Sequence, residues 1–90
     1  MRINELKIGL KNINERLVLV PCLLGTDIAI KQFKNANMIQ GRIAWFDGKS
    51  DCNIKIYGKS YLNKEEFLEA VDLLIEFMKT PISERGNHED

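Results

Sequence analysis

The chain has 90 residues, 44% of them hydrophobic and 29% charged, with 13 Lys and Arg balancing 13 Asp and Glu. That is enough for one domain with a single modest core, and the ordinary globular balance excludes a disordered or fibrous chain. No apolar run approaches the roughly 20 residues that span a bilayer, and the opening MRINELKIGL lacks the pattern of a secretory signal, so a cytoplasmic protein with no membrane partner is expected.

In chain order, Leu6, Ile8 and Leu10 alternate with charged or small residues and predict a short strand. The run RLVLVPCLLG, 16–25, is continuous in valine and leucine and predicts a strand covered on both faces. Its Pro21 has no N–H to donate and argues for an edge or a bulge. Gly25, Thr26 and Asp27 predict a turn. Residues 27–33 alternate again, with a capped helix over 27–40 as the alternative, because short apolar runs are ambiguous. A loop at 34–37, a strand at 38–46, a tight turn on Asp47-Gly48 and a last strand at 52–62, bent at Gly58, complete the set.

The helix that follows carries the clearest signals. Asn63 is an N-cap residue and Glu66 stands where a capping box needs it. Glu65 and Glu66 suit the positive end of the helix dipole, Lys79 suits the negative end, and Pro81 stops the helix. Phe67, Val71, Leu74 and Met78 form one stripe, flanked by Leu68 and Ile75 on one side and Ala70 on the other. Glu65, Glu69, Asp72 and Glu76 form an acidic ridge. Leu73 and Phe77 widen the apolar arc beyond what one sheet face needs. Either the sheet curls around the helix, or these two residues are the contact of a homodimer. The expected fold is therefore α+β: an antiparallel meander of four to five strands with one C-terminal helix packed on one face. Residues 1–80 make the domain and 81–90 a flexible polar tail.

Charge is segregated along the chain. Residues 31–64 hold seven Lys and Arg against two Asp, and residues 65–90 hold two against eight Asp and Glu. A neutral protein with this pattern can present one basic and one acidic face. Alternation places Ile54, Ile56 and Leu62 toward the helix and Lys55, Tyr57, Lys59 and Tyr61 away from it. In the preceding strands Ile28, Ile30, Ile39, Ile43 and Trp45 go inward, leaving Lys31, Phe33, Arg42 and Phe46 outside. Cations interleaved with aromatics suit single-stranded nucleic acid, whose phosphates they neutralise and whose unpaired bases they stack. The same residues also serve as ordinary solubilising residues on an exposed strand face.

The segment RIAWFDGKSDCNIKIYGKSYLNKEEFLEAVDLL, 42–74, resembles the second half of the positive-cofactor-four-like single-stranded-DNA-binding domains. The matching positions are Arg42 with Trp45, Gly58 with Lys59, and Asn63 with Glu65, Glu66 and Phe67. The resemblance implies a homodimer with a curved antiparallel sheet and a basic surface for unpaired DNA.

Catalysis finds little support. The single histidine, His88, lies in the tail, and the glycines are scattered rather than gathered in a phosphate loop. Cys22 and Cys52 have neither a CxxC spacing nor a histidine partner, and Cys22 reads as a small buried hydrophobe. No cofactor or metal is implied. The competing function is a protein-binding inhibitor or accessory module of the phage or mobile-element type, whose acidic ridge (Glu65, Glu69, Asp72, Glu76) mimics DNA phosphates for a protein partner.

Overall fold

A computed structural model describes residues 1–86. Its elements are α1 (Ile3–Ile13), β1 (Leu17–Cys22), β2 (Gly25–Lys31), β3 (Ile39–Phe46), β4 (Ile54–Ile56), α2 (Lys64–Lys79) and a short 3-10 turn, Ile82–Glu84. The four strands form an antiparallel meander in the order β1-β2-β3-β4, and both helices contribute to a single core beneath one sheet face. The fold is α+β, as the periodicities predict.

The first element corrects the sequence expectation. Residues 3–13 are helical, not a strand, because the buried residues are Ile3, Leu6 and Leu10, with Ile13 packed against the core, at spacings of three and four. Ile8, which completes an alternating pattern with Leu6 and Leu10, is 60% exposed. Glu5 accepts from the Arg2 amide at 2.9 Å and closes the first turn. At the other end Asn14 accepts from the Arg16 amide and donates to Glu66, tying the exit of α1 to the start of α2.

This helix also covers the wide arc of α2. Leu73 packs against the core beside Gly9, where a Cβ would stand 2.8 Å from its Cδ1. Phe77 is buried edge-on against Phe46, ring centroids 5.4 Å apart. The expectation that Phe77 meets a second subunit is therefore corrected, since it is buried within the chain against β3; Leu73 packs partly on α1 and keeps part of its surface in the groove between the helices. The caps of α2 follow the sequence. Glu66 donates its amide to Asn63 at 2.8 Å and accepts the Asn63 amide at 3.1 Å.

Strand boundaries differ in two places. β1 is an edge strand, which accommodates Pro21, but the hairpin turns at Leu23 and Leu24, so Thr26 and Asp27 lie inside β2 opposite Pro21 and Val20. Residues 27–31 are strand, not helix. The last strand stops at Ile56. Tyr57 and Gly58 both point their amides at the Ile43 carbonyl, at 2.9 and 3.4 Å, and the chain then leaves the sheet through Gly58 at φ 146° and Ser60 at φ 50°.

The expected flexible tail is also corrected over 81–86. Arg85 is fully buried and reaches carbonyls at both ends of the molecule's floor: Met78 and Thr80 at the end of α2, and Gly48, Ser50 and Asp51 in the β3–β4 turn. Its guanidinium also lies over the Phe77 ring at 5.5 Å. The Arg85 carbonyl in turn accepts from the Ile3 amide at 2.6 Å. His88 and the other residues of 87–90 lie outside the described residues.

Candidate functional site

With both helices on one side of the sheet, the opposite side is left open, and register decides what stands on it. Residues paired across antiparallel strands share a face. Val20, Asp27, Trp45 and Lys55 form one such row across all four strands, and Val18, Ala29 and Arg42 form the next. Tyr57 follows Lys55 by two residues and joins them, its ring 4.8 Å from the Arg42 guanidinium carbon.

Trp45 is on this face and Phe46 is not, the reverse of the alternation expected from sequence. The cause is a bulge. The pairing of β2 with β3 shifts between Ile28–Ala44 and Ala29–Arg42, so Ile43 is the extra residue. Ile43 and Ala44 are both buried, and every side chain beyond them changes sides. Phe46 is thereby a core residue opposite Thr26 and Ile54 and is withdrawn from the candidate interface. Trp45 takes its place, its indole lying on Gly25, where a Cβ would come within 2.6 Å of the ring.

The other expected residues divide. Arg42, Lys55 and Tyr57 are brought together. Lys31 ends β2 half-buried, and Phe33 is exposed in the loop after it. Lys59 and Tyr61 are exposed but belong to the segment that leaves the sheet. The Tyr61 ring lies against Gly41, which pairs with the core residue Ile30, so it sits toward the helix side rather than beside Tyr57. Glu65, Glu69, Asp72 and Glu76 are all exposed along α2.

Two members of the open face carry no sequence signal of their own. Asp27, expected in a turn, is only 6% exposed in the middle of this face. Its Oδ2 accepts from the Cys22 thiol at 3.3 Å and from Arg42 at 3.5 Å. Its Oδ1, like the Thr26 hydroxyl, is covered and has no hydrogen-bond partner. Cys22, expected to be buried, is exposed. Desolvation by its neighbours, and then the Asp27 carboxylate that holds the thiol proton and repels the thiolate, push its pKa up. These groups, with Leu23 and Leu24 at the hairpin tip, line a shallow depression of about 340 Å³ that is also bordered by Arg42, Trp45, Lys55 and Tyr57.

A second depression, about 360 Å³, lies between the helices on the other side of the molecule. Gly9, Ile13 and Leu73 form its floor and Glu69, Asp72 and Glu76 its rim. Glu76 pairs with Lys79 at 3.8 Å. Among the described residues no group of three His, Cys, Asp or Glu is arranged to hold a metal ion, and no helix is long and apolar enough to cross a membrane. Comparison with protein families, curated proteins and solved structures finds no match for this chain.

Proposed function

We propose that this is a small, non-enzymatic, cytoplasmic binding protein that holds single-stranded nucleic acid on the open face of its sheet. The observation that carries this reading is the convergence of Arg42, Lys55, Tyr57 and Trp45 on one side of the sheet, opposite the acidic helix α2. Two cations can each neutralise a phosphate, and two rings, Tyr57 at 44% exposure and the part-buried Trp45, offer faces to unpaired bases, each stack contributing about 1–3 kcal/mol. A shallow face of this kind suits splayed bases rather than a duplex, whose grooves call for a protruding helix or ribbon. The resemblance of residues 42–74 to single-stranded-DNA-binding domains adds to the reading. A gel-shift titration with single-stranded and duplex oligonucleotides at two salt concentrations tests it. The single strand is expected to shift at low salt and the duplex weakly or not at all; no shift of the single strand at low salt would refute the proposal.

A second reading has its own observation. The groove between α1 and α2 combines an apolar floor with three carboxylates at its rim, a combination suited to a basic protein segment whose apolar stems lie on Leu73 and Ile13. In that reading the acidic ridge stands in for DNA phosphates in a protein partner's nucleic-acid site, and the molecule acts as an inhibitor or accessory module. Glu69→Lys with Asp72→Lys would abolish such an association while leaving oligonucleotide binding in place.

A further inference from the structure

A carboxylate is out of place at the centre of a surface meant for phosphates. Asp27 stands in the same cross-strand row as Trp45 and Lys55, where its charge repels the backbone of a bound strand. Its simplest structural role, orienting Arg42, is poorly served: the one contact between them is 3.5 Å long, through Oδ2 alone, and Oδ1 has no partner at all. A buried carboxylate oxygen without a donor is costly. The cost is relieved if a ligand supplies donors.

Resting on the single-strand reading above, we propose that the depression around Asp27 is a subsite for one nucleobase and that it selects guanine. A volume of about 340 Å³ is at the small end of ligand pockets, on the scale of a single nucleotide rather than a groove for many. Trp45 and Tyr57 at its edge supply ring faces, and Lys55 and Arg42 stand ready for the flanking phosphates. Asp27 reads the base edge. An ionised carboxylate only accepts hydrogen bonds, so it favours the base with adjacent donors. Guanine presents N1–H and an N2 amino group side by side, matching the two oxygens. Adenine and cytosine each present one amino group next to a ring-nitrogen acceptor, and thymine presents one N–H between two carbonyls; in each case an acceptor lone pair is brought against the carboxylate charge. The groups now held by Asp27 Oδ2 are the ends of exposed side chains, Cys22 and Arg42. A base edge can therefore displace them without moving a strand, a rotation of the carboxylate then brings the covered Oδ1 to the opening, and the released guanidinium becomes free for phosphate.

The test is fluorescence anisotropy with an oligothymidine strand in which one central base is thymine, guanine, hypoxanthine, adenine or cytosine. The guanine strand is expected to bind about tenfold more tightly than the all-thymine strand, the scale of one good bidentate base contact, with the hypoxanthine strand, lacking the 2-amino donor, in between. Asp27→Asn, which replaces one acceptor by a donor, is expected to bring the guanine and thymine strands together. The hypoxanthine comparison uses the unaltered protein and remains decisive if that variant does not fold. Equal binding of all five strands overturns the guanine subsite and leaves the single-strand function standing. No binding to any strand overturns both.

Discussion

Asp27 and Arg85 are both charged and both buried, yet they are satisfied in opposite ways. Arg85 meets five backbone carbonyls on two elements and an aromatic face, so the fan of guanidinium donors is used nearly in full. No carboxylate among the described residues pairs with it; the partial negative charge at the end of α2 serves in its place. Arg85→Ala should cost about 3 kcal/mol or more, since several carbonyls lose a charged donor at once, and Arg85→Lys should not restore the loss because an ammonium cannot span the same fan. A urea midpoint within error of the parent would contradict this. Asp27, by contrast, keeps one oxygen unpaired and acts on its neighbour. Because desolvation and then the carboxylate raise the Cys22 thiol pKa, less thiolate exists near pH 8 than for a free cysteine. Asp27→Asn removes that charge, lowers the thiol pKa and should speed alkylation of Cys22 at that pH, with Cys52 as the internal reference. An unchanged or slower rate would show that the two groups are not coupled. Neither residue could be placed from sequence. Arg85 sits in a polar stretch indistinguishable from a tail, and Asp27 next to Gly25 and Thr26 has the composition of a turn.

At the level of elements, the periodic pattern was most informative where one face alone is buried. Helix α2, with its Asn63–Glu66 capping box and its stripe through Leu74, was legible to within a residue; a turn after Phe46 was legible too, but it is a loop over 47–53 rather than a tight Asp47-Gly48 hairpin, and β4 is three residues long. Two local features defeated the alternation. In α1 the exposed Ile8 completes a false period of two, and only Ile3 and Ile13 at the margins reveal the helical one. Leu6→Ala should therefore destabilise by about 2–5 kcal/mol, whereas Ile8→Glu should fall within about 0.5 kcal/mol of the parent; a strand at this position would place both residues on the same face and make both changes harmful. In β3 a single inserted residue at Ile43 exchanges the faces of Trp45 and Phe46, and no residue type announces a bulge. Its consequence is measurable. Phe46→Ala should remove about 3–5 kcal/mol of stability and leave the open face intact, while Gly25→Ala, whose Cβ would meet both the indole and the Phe46 carbonyl oxygen at 2.6 Å, should lower stability, push the Trp45 indole off β2 and shift its fluorescence toward the wet, red-shifted limit. Retention of the parent spectrum by Gly25→Ala would place the indole elsewhere.

For the molecule as a whole, the arrangement is two-sided. Helices α1 and α2 close one face of the sheet over a common core and carry the acidic ridge outward, and the face they leave uncovered holds Arg42, Lys55, Tyr57 and Trp45. Of the seven cations of residues 31–64, only Arg42 and Lys55 stand together on that face, around the buried Asp27, so the charge segregation along the chain is carried into space only in part. Of the expected interface, Arg42, Lys55 and Tyr57 were legible because they precede or lie beyond the bulge in a phase the alternation happens to match, whereas Lys59 and Tyr61 depart because the chain turns away at Gly58. The central claim is that the open face, not the ridge, contacts single-stranded nucleic acid. It is tested most directly by titrating a fluorescent oligonucleotide with the parent protein, with Arg42→Glu plus Lys55→Glu, and with Glu69→Lys plus Asp72→Lys, across a series of salt concentrations. With two phosphate contacts the parent should show a log–log salt slope of about −1.4, the open-face pair should lose binding, and the ridge pair should bind at least as well as the parent. Unchanged affinity in the open-face pair, or loss confined to the ridge pair, would contradict it.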